Sequence, residues 1–311
     1  MTENSPNNGT PLEVLRRRFA LAFKDEAEVV AGFELRPTDV FLCTFPKCGT
    51  TWMQQIIHQL RTGGDESFER LCHVSPYFKP SNPFVQQGGR WNELEPRLLK
   101  THLPYTNGAD RYSALENSKF IVIAREPVDR MWSEYRFTTS LFLVDNVAFG
   151  DYVTERAGLY ERFLLDWWPI RRNGNVLWLH YEDMKTNLDS VVRVVADFIN
   201  VPLTDQLLSL VVQRSSFQYM RDNKAKFDDF EEMKYFRRIA GIPEAEHERA
   251  YIGKVRADGG TIGDGSRCVD AENRSRIVND WRTLIGGATG YESYEQMLRA
   301  EGLGSDSVKQ H

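Results

Sequence analysis

The sequence predicts an α/β fold, a central parallel sheet flanked by helices on both faces, and two observations carry that prediction. First, three short apolar runs, Val40–Thr44, Lys119–Ala124 and Val176–Leu179, have strand length and no polar alternation. That is the pattern of strands buried on both faces. Second, segments with the apolar spacing of helices lie between and after them, the order of repeated βαβ units. With 311 residues, 41% of them apolar, the chain can bury one large core.

Taken in order, the elements follow from local signals. Thr50–Leu60 places Trp52, Met53, Ile56, Ile57 and Leu60 at helical spacing. After the second run, Pro127 stands at a first helical position and predicts a helix to about Thr139. Gly158–Arg172 sets Tyr160, Phe163, Leu164 and Trp167 on one face, and Leu188–Ile199 aligns Val191, Val195, Phe198 and Ile199. Thr204–Arg214 and Ala271–Leu284 read as further helices. Residues 1–12 are expected to form a disordered tail, 13–300 a single domain, and 301–311 a flexible tail.

The 39 basic and 44 acidic residues leave a net charge of −5, which disfavours general nucleic-acid binding. Cys43, Cys48, Cys72 and Cys268 form no Cys-x-x-Cys pair, and no histidine lies at zinc-ligand spacing from them. They read as reduced thiols of a cytoplasmic protein. No apolar stretch reaches the roughly 18–20 residues of a membrane span, so no membrane partner is expected. The polar start, MTENSPNNGTP, lacks the basic-then-apolar order of a secretory signal.

In parallel sheets, ligands bind beyond the carboxyl ends of the strands. The first such junction is PKCGTT, Pro46–Thr51. Lys47 brings a full positive charge, Thr50 and Thr51 bring hydroxyl donors, and Gly49 lets the backbone approach a ligand. Free N–H groups at the following helix start complete an anion cradle. An ordinary turn with a threonine cap fits the same residues. The Walker pattern is absent, because it requires glycine before lysine. At the second junction, AREPVDRMWSEY, Arg125 ends a strand and Ser133 follows two helical turns later. A guanidinium there can grip a phosphate with two parallel hydrogen bonds. Two donor-rich junctions suggest a ligand with two phosphate-like groups.

PKCGTTW (Pro46–Trp52) and AREPVDRMWSEY (Ala124–Tyr135), with LLKTHLPY, VLWLHYEDMK and RSSFQYM in the same order, resemble the cytosolic sulfotransferases that use 3′-phosphoadenosine 5′-phosphosulfate. The resemblance runs from about residue 15 to 285. It implies a P-loop-like nucleotide-binding architecture, that donor as co-substrate, no metal, and sulfuryl transfer to a hydroxyl (or amine) of a small-molecule acceptor such as a phenol, a steroid-like alcohol or another alcohol. It implies that Lys47, Cys48, Gly49, Thr50, Thr51 and Trp52 hold the 5′-phosphosulfate and adenine, and that Arg125 and Ser133 hold the 3′-phosphate. Tyr181, Ser215, Phe217, Arg256 and Gly260 fall at further donor positions. His102 takes the place of the catalytic base, with Lys47 and Lys100 as catalytic cations. The state could be monomer or homodimer.

The chain departs from that pattern twice. Glu126 stands where the family commonly has Asn, and in the stretch KVRADGGTIGDGS Arg256 is displaced by two residues from the family's Arg, the Lys is missing and Gly265 stands where the family has Trp. Two segments are expected to shape the acceptor pocket: Ser75–Trp91, with Tyr77, Phe78, Phe84 and Trp91, and Lys224–Arg238 as a lid. Those rings suit an apolar alcohol or pack the loops themselves, while Lys79 and Arg90 leave room for an anionic acceptor. Competing functions are a nucleotide phosphotransferase, which would need a Walker lysine and a magnesium carboxylate, and a non-catalytic nucleotide-binding protein.

Overall fold

In the computed structural model, which describes residues 8–23, 34–79, 81–105, 118–255 and 262–303, four parallel strands form one sheet in the order β2-β1-β3-β4. They are β1 (Val40–Thr44), β2 (Leu98–Thr101), β3 (Lys119–Ala124) and β4 (Val176–His180). The register pairs Cys43 with Thr101, Thr44 with Ile123, and Ala124 with His180. The four strands therefore end side by side. Phe45, His102, Arg125 and Tyr181, the first residues past each strand, all leave from one edge of the sheet.

Three strands match their apolar runs to within a residue. β2 shows no such run because Lys100 interrupts it, yet all four of its residues are buried. Its outer edge is covered by the chain at Tyr77 and Phe78, where Phe78 N donates to Lys100 O at 2.8 Å. Covering an edge removes an open row of backbone partners.

Helix α1 (Pro11–Phe23) starts inside the segment expected as a tail. Helix α2 (Thr50–Thr62) lies on β1 and β2 and is bounded by glycines, with Gly49 at φ 95° before it and Gly63 at φ 66° after it. Both angles are left-handed, the conformation glycine adopts without strain. Helix α3 (Pro127–Leu141) begins at Pro127 as expected. The predicted helix Gly158–Arg172 is shorter: α4 runs Leu159–Trp167, and Trp168–Ile170 is a 3₁₀ turn. Pro169 accounts for the change, since it lacks the N–H that would continue the ladder. Trp167 packs near Phe120 at 5.4 Å and Phe163 near Phe45 at 5.6 Å, so α4 packs against the sheet. The predicted helix Ala271–Leu284 ends at Trp281 and passes into a π-helical turn, Arg282–Gly286. Leu303 N donates to Asp183 at 3.1 Å, tethering the start of the expected C-terminal tail. No helix among the described residues is long and apolar enough to cross a membrane.

Candidate active site

The strand ends open into a cavity of about 190 Å³. Its wall brings together Lys47, Gly49, Thr50, Thr51, Trp52, Lys100, His102, Arg125, Ser133, Tyr181 and Phe217, drawn from five separated segments of sequence. Five of the wall side chains are cations (Lys47, Lys100, Arg125, Lys185, Lys254) and one is a carboxylate (Glu232). In a chain of net charge −5, that concentration points to an anionic ligand.

The first junction is held in an unusual backbone shape. Lys47 sits at φ 70° and Gly49 at φ 95°. A Cβ on Gly49 would lie 2.9 Å from the Tyr181 ring, so both angle and space require glycine there. The Lys47 ammonium lies 4.2 Å from the centre of the Phe137 ring. Thr50 and Thr44 share a hydroxyl hydrogen bond of 2.6 Å, which ties the helix start to the end of β1.

Arg125 joins the two junctions. Its Nη1 donates to the carbonyl of Lys47 at 2.7 Å, and its guanidinium lies 4.2 Å from the centre of the Tyr181 ring. The Tyr160 hydroxyl accepts from Arg125 N and donates to Arg125 O, both at 2.7 Å, fixing the backbone from beneath. Nε of Arg125 is buried without a hydrogen-bond partner, and no ion pair to this guanidinium exists among the described residues. Ser133 lies on the same wall.

His102 Nδ1 lies 2.6 Å from the carbonyl of Thr44. A carbonyl can only accept, so Nδ1 carries the proton and Nε2 keeps its lone pair. Burial lowers the pKa to about 4, with Lys100 and Lys254 adding to that shift and the Thr44 bond opposing it. At neutral pH the ring is therefore an uncharged base.

At the aromatic end, Trp52 and Tyr181 meet edge to face at 5.9 Å, and Trp52 Nε1 donates to the carbonyl of Ser215 at 2.6 Å. Phe217 and Lys185 complete this end, with the ammonium 5.2 Å from the Phe217 ring centre. Lys185 was missed in the sequence, although it stands four residues after Tyr181 on one short helix.

The structure places the other expected residues as follows. Lys100, expected as a catalytic cation beside His102, lines the cavity with its ammonium bound to Asp229 at 3.0 Å and Glu232 at 2.8 Å, and Lys254 pairs with Asp229 as well. Burial opposes the charge on Lys100, but the two carboxylates more than offset it and hold the pKa above the usual lysine value. Cys48 is buried beneath the first junction and is not on the cavity wall; burial pushes its thiol up to about 12. Ser215 is likewise buried behind the wall, with no hydrogen-bond partner for its hydroxyl among the described residues. Arg256 and Gly260 lie outside the described residues. Glu126, the unexplained charge, caps α3: its carboxylate accepts from Val128 N at 3.1 Å and Asp129 N at 2.6 Å. Burial raises its pKa to about 7.

Of the two acceptor segments, the second contributes most. Helix α5 (Phe230–Ile239) brings Glu232, Met233 and Phe236 to the wall. From the described residues of the first, only Tyr77 reaches the cavity, while Phe78 and Trp91 fill the core. Lys79 is buried and donates to Ala22 O at 2.6 Å, and Arg90 pairs with Asp65 at 2.8 Å. Neither is placed for an anionic acceptor.

A parallel sheet whose strand ends converge on a cationic cavity holding an uncharged histidine suits a group-transfer enzyme acting on an anionic donor. The sulfotransferase domain model matches residues 37–241, and the chain belongs to the sulfotransferase family. It is 31% identical over 277 residues to sulfotransferase 1C2 of Rattus norvegicus, covering 85% of this chain and 89% of that one. Sulfotransferase 1E1 of Bos taurus is 30% identical over 213 residues, 65% of this chain and 72% of that one. Among solved structures, retinol dehydratase in complex with androsterone and inactive cofactor PAP has a TM-score of 0.64 at 20% identity, covering 85% of each chain. Mouse sulfotransferase SULT7A1 complexed with PAP has a TM-score of 0.62 at 16% identity, covering 87% of this chain and 92% of that one. These likenesses support the fold; the family match supports sulfuryl transfer.

Proposed function

We propose that this sulfotransferase takes its sulfuryl group from 3′-phosphoadenosine 5′-phosphosulfate and passes it to the hydroxyl of a small apolar acceptor. The observation that carries the reading is His102: its Nδ1 proton is held by Thr44 O, in the same cavity as Lys47 and Arg125. Nε2 accepts the proton of the acceptor hydroxyl as the new O–S bond forms and the S–O bond to the 5′-phosphate breaks. Lys47 and the N–H groups at the start of α2 hold the charge that grows on the departing phosphate oxygen. Most of the acceleration is then positioning and electrostatic, as in phosphoryl transfer.

Arg125 Nε, the buried donor without a partner, and Ser133 suit the 3′-phosphate. Trp52, Tyr181 and Phe217 suit the adenine. Tyr77, Phe137, Met233 and Phe236 suit an uncharged ring system near His102. Retinol dehydratase is solved with androsterone and with retinol, apolar alcohols of the kind this wall would accept. In this reading Lys100 belongs to a charge cluster that supports the acceptor side, and the protein works as a single cytoplasmic domain.

The test is a screen of phenols, steroid alcohols and other alcohols with sulfate-labelled donor, using wild type and His102→Ala. The expected result is label transfer by wild type, and loss of turnover with retained binding of 3′-phosphoadenosine 5′-phosphate by the variant. Unchanged turnover in His102→Ala would remove the base assignment.

A further inference from the structure

The two positions at which this chain departs from the sulfotransferase pattern, Glu126 and Gly265, meet at one contact. Glu126 caps the first turn of α3 through Val128 N and Asp129 N. Asp129, buried in that turn, then receives two backbone donors from a distant part of the chain: Gly263 N at 2.6 Å on one carboxylate oxygen and Gly265 N at 2.7 Å on the other. Gly265 presses so close that a Cβ would lie 2.6 Å from Val128 O and 2.7 Å from Asp129 Cα. These neighbours are backbone and cannot swing aside.

Asp129 stands four residues after Arg125 and four before Ser133, the two groups that line the cavity from this junction. A shift of the first helical turn therefore moves both. We propose that Asp129 is a positioning residue for the donor site: by clasping the Gly263–Gly265 turn against the capped start of α3, it sets Arg125 and Ser133 for the 3′-phosphate. The inference rests on the proposed donor. Two charge-assisted hydrogen bonds with both oxygens engaged make the clasp rigid, and the bare Cα of Gly265 permits its approach.

The experiment measures kcat/KM with 3′-phosphoadenosine 5′-phosphosulfate and with adenosine 5′-phosphosulfate, which lacks the 3′-phosphate. Wild type, Asp129→Asn and Gly265→Ala are compared as full chains, with circular dichroism melting as the fold control. Asp129→Asn leaves one backbone N–H facing an amide; Gly265→Ala forces the same surfaces apart from the other side. The expected result is that the preference for the 3′-phosphorylated donor falls about tenfold in each variant, the size of one lost charge-assisted bond, while the acceptor KM changes less than about twofold. The double variant would be no worse than the worse single variant, because both break one contact. A folded variant that keeps the wild-type preference overturns the inference, and so does an equal loss with both nucleotides. If Asp129→Asn does not fold, Gly265→Ala alone decides. Absence of any 3′-phosphate preference in wild type would sink the donor reading instead, so the two failures are distinguishable.

Discussion

Lys100→Met separates a structural lysine from a catalytic one. The ammonium of Lys100 and the carboxylates of Asp229 and Glu232 are almost fully shielded from solvent, with side-chain exposures of 4%, 0% and 0%. Lys254, the fourth member, pairs with Asp229 but stands 4.0 Å from Glu232. Methionine keeps an unbranched side chain one atom shorter and removes the charge together with its N–H donors. Two buried carboxylates are then left with one lysine. Removing one partner of a buried pair costs about 3–5 kcal/mol. Lys254 still compensates Asp229, so the lower end applies, about 3 kcal/mol. At about 2–4 °C per kcal/mol for a large domain, Tm falls by roughly 6–12 °C. Thermal unfolding followed by circular dichroism measures this. Lys100→Met/Glu232→Gln, which removes one charge of each sign, is expected to regain at least half of the loss. A Lys100→Met variant that melts within about 2 °C of wild type but has lost turnover would refute this reasoning and restore Lys100 to the chemistry.

Four further outcomes follow from the structure. The acid limb of kcat/KM is expected near pH 4, where the lowered His102 pKa lies, not near the ordinary histidine value of 6.5; a limb at about 6.5 would refute the assignment. Since the folded state disfavours the proton, stability is fully present above pH 6.5 and is lost as pH falls towards 4, a loss that His102→Gln reduces in acid-melting experiments. Gly49→Ala is expected to weaken binding of 3′-phosphoadenosine 5′-phosphate by roughly tenfold in titration calorimetry, because a left-handed residue with a Cβ costs about 1–2 kcal/mol and this Cβ meets Tyr181 at 2.9 Å. Glu126→Ala removes two capping bonds and is expected to lower stability by about 1–2 kcal/mol in urea unfolding, while Glu126→Gln, which keeps an acceptor oxygen, loses less.

What could be read from the sequence divides along physical lines. β1, β3 and β4 were legible because strands covered on both faces are apolar throughout, and α2 and α3 because Gly49 and Pro127 mark their starts. β2 was not, because its buried Lys100 is tolerated only through Asp229 and Glu232, 129 and 132 residues away. No local pattern records such a partner. The same limit explains the aromatic loop: Tyr77, Phe78 and Trp91 look alike in sequence, yet only Tyr77 faces the cavity while the others fill the core. Cys48 and Ser215 sit in recognisable motifs but turn their side chains away from the wall. Glu126 looked like a misplaced charge beside a phosphate site until the two N–H groups it caps came into view.

The bond from Arg125 to the carbonyl of Lys47 ties the two junctions together, so under the proposed function the grip on one end of the nucleotide would brace the other. Lys47 holds a backbone angle of 70°, which side chains other than glycine rarely keep unaided. Under the proposed function, anchoring energy gained far from sulfur would thereby be delivered to the lysine assigned to the leaving oxygen. A truncated nucleotide would then be a slower reagent as well as a looser guest, and saturating the enzyme with it would not restore full speed.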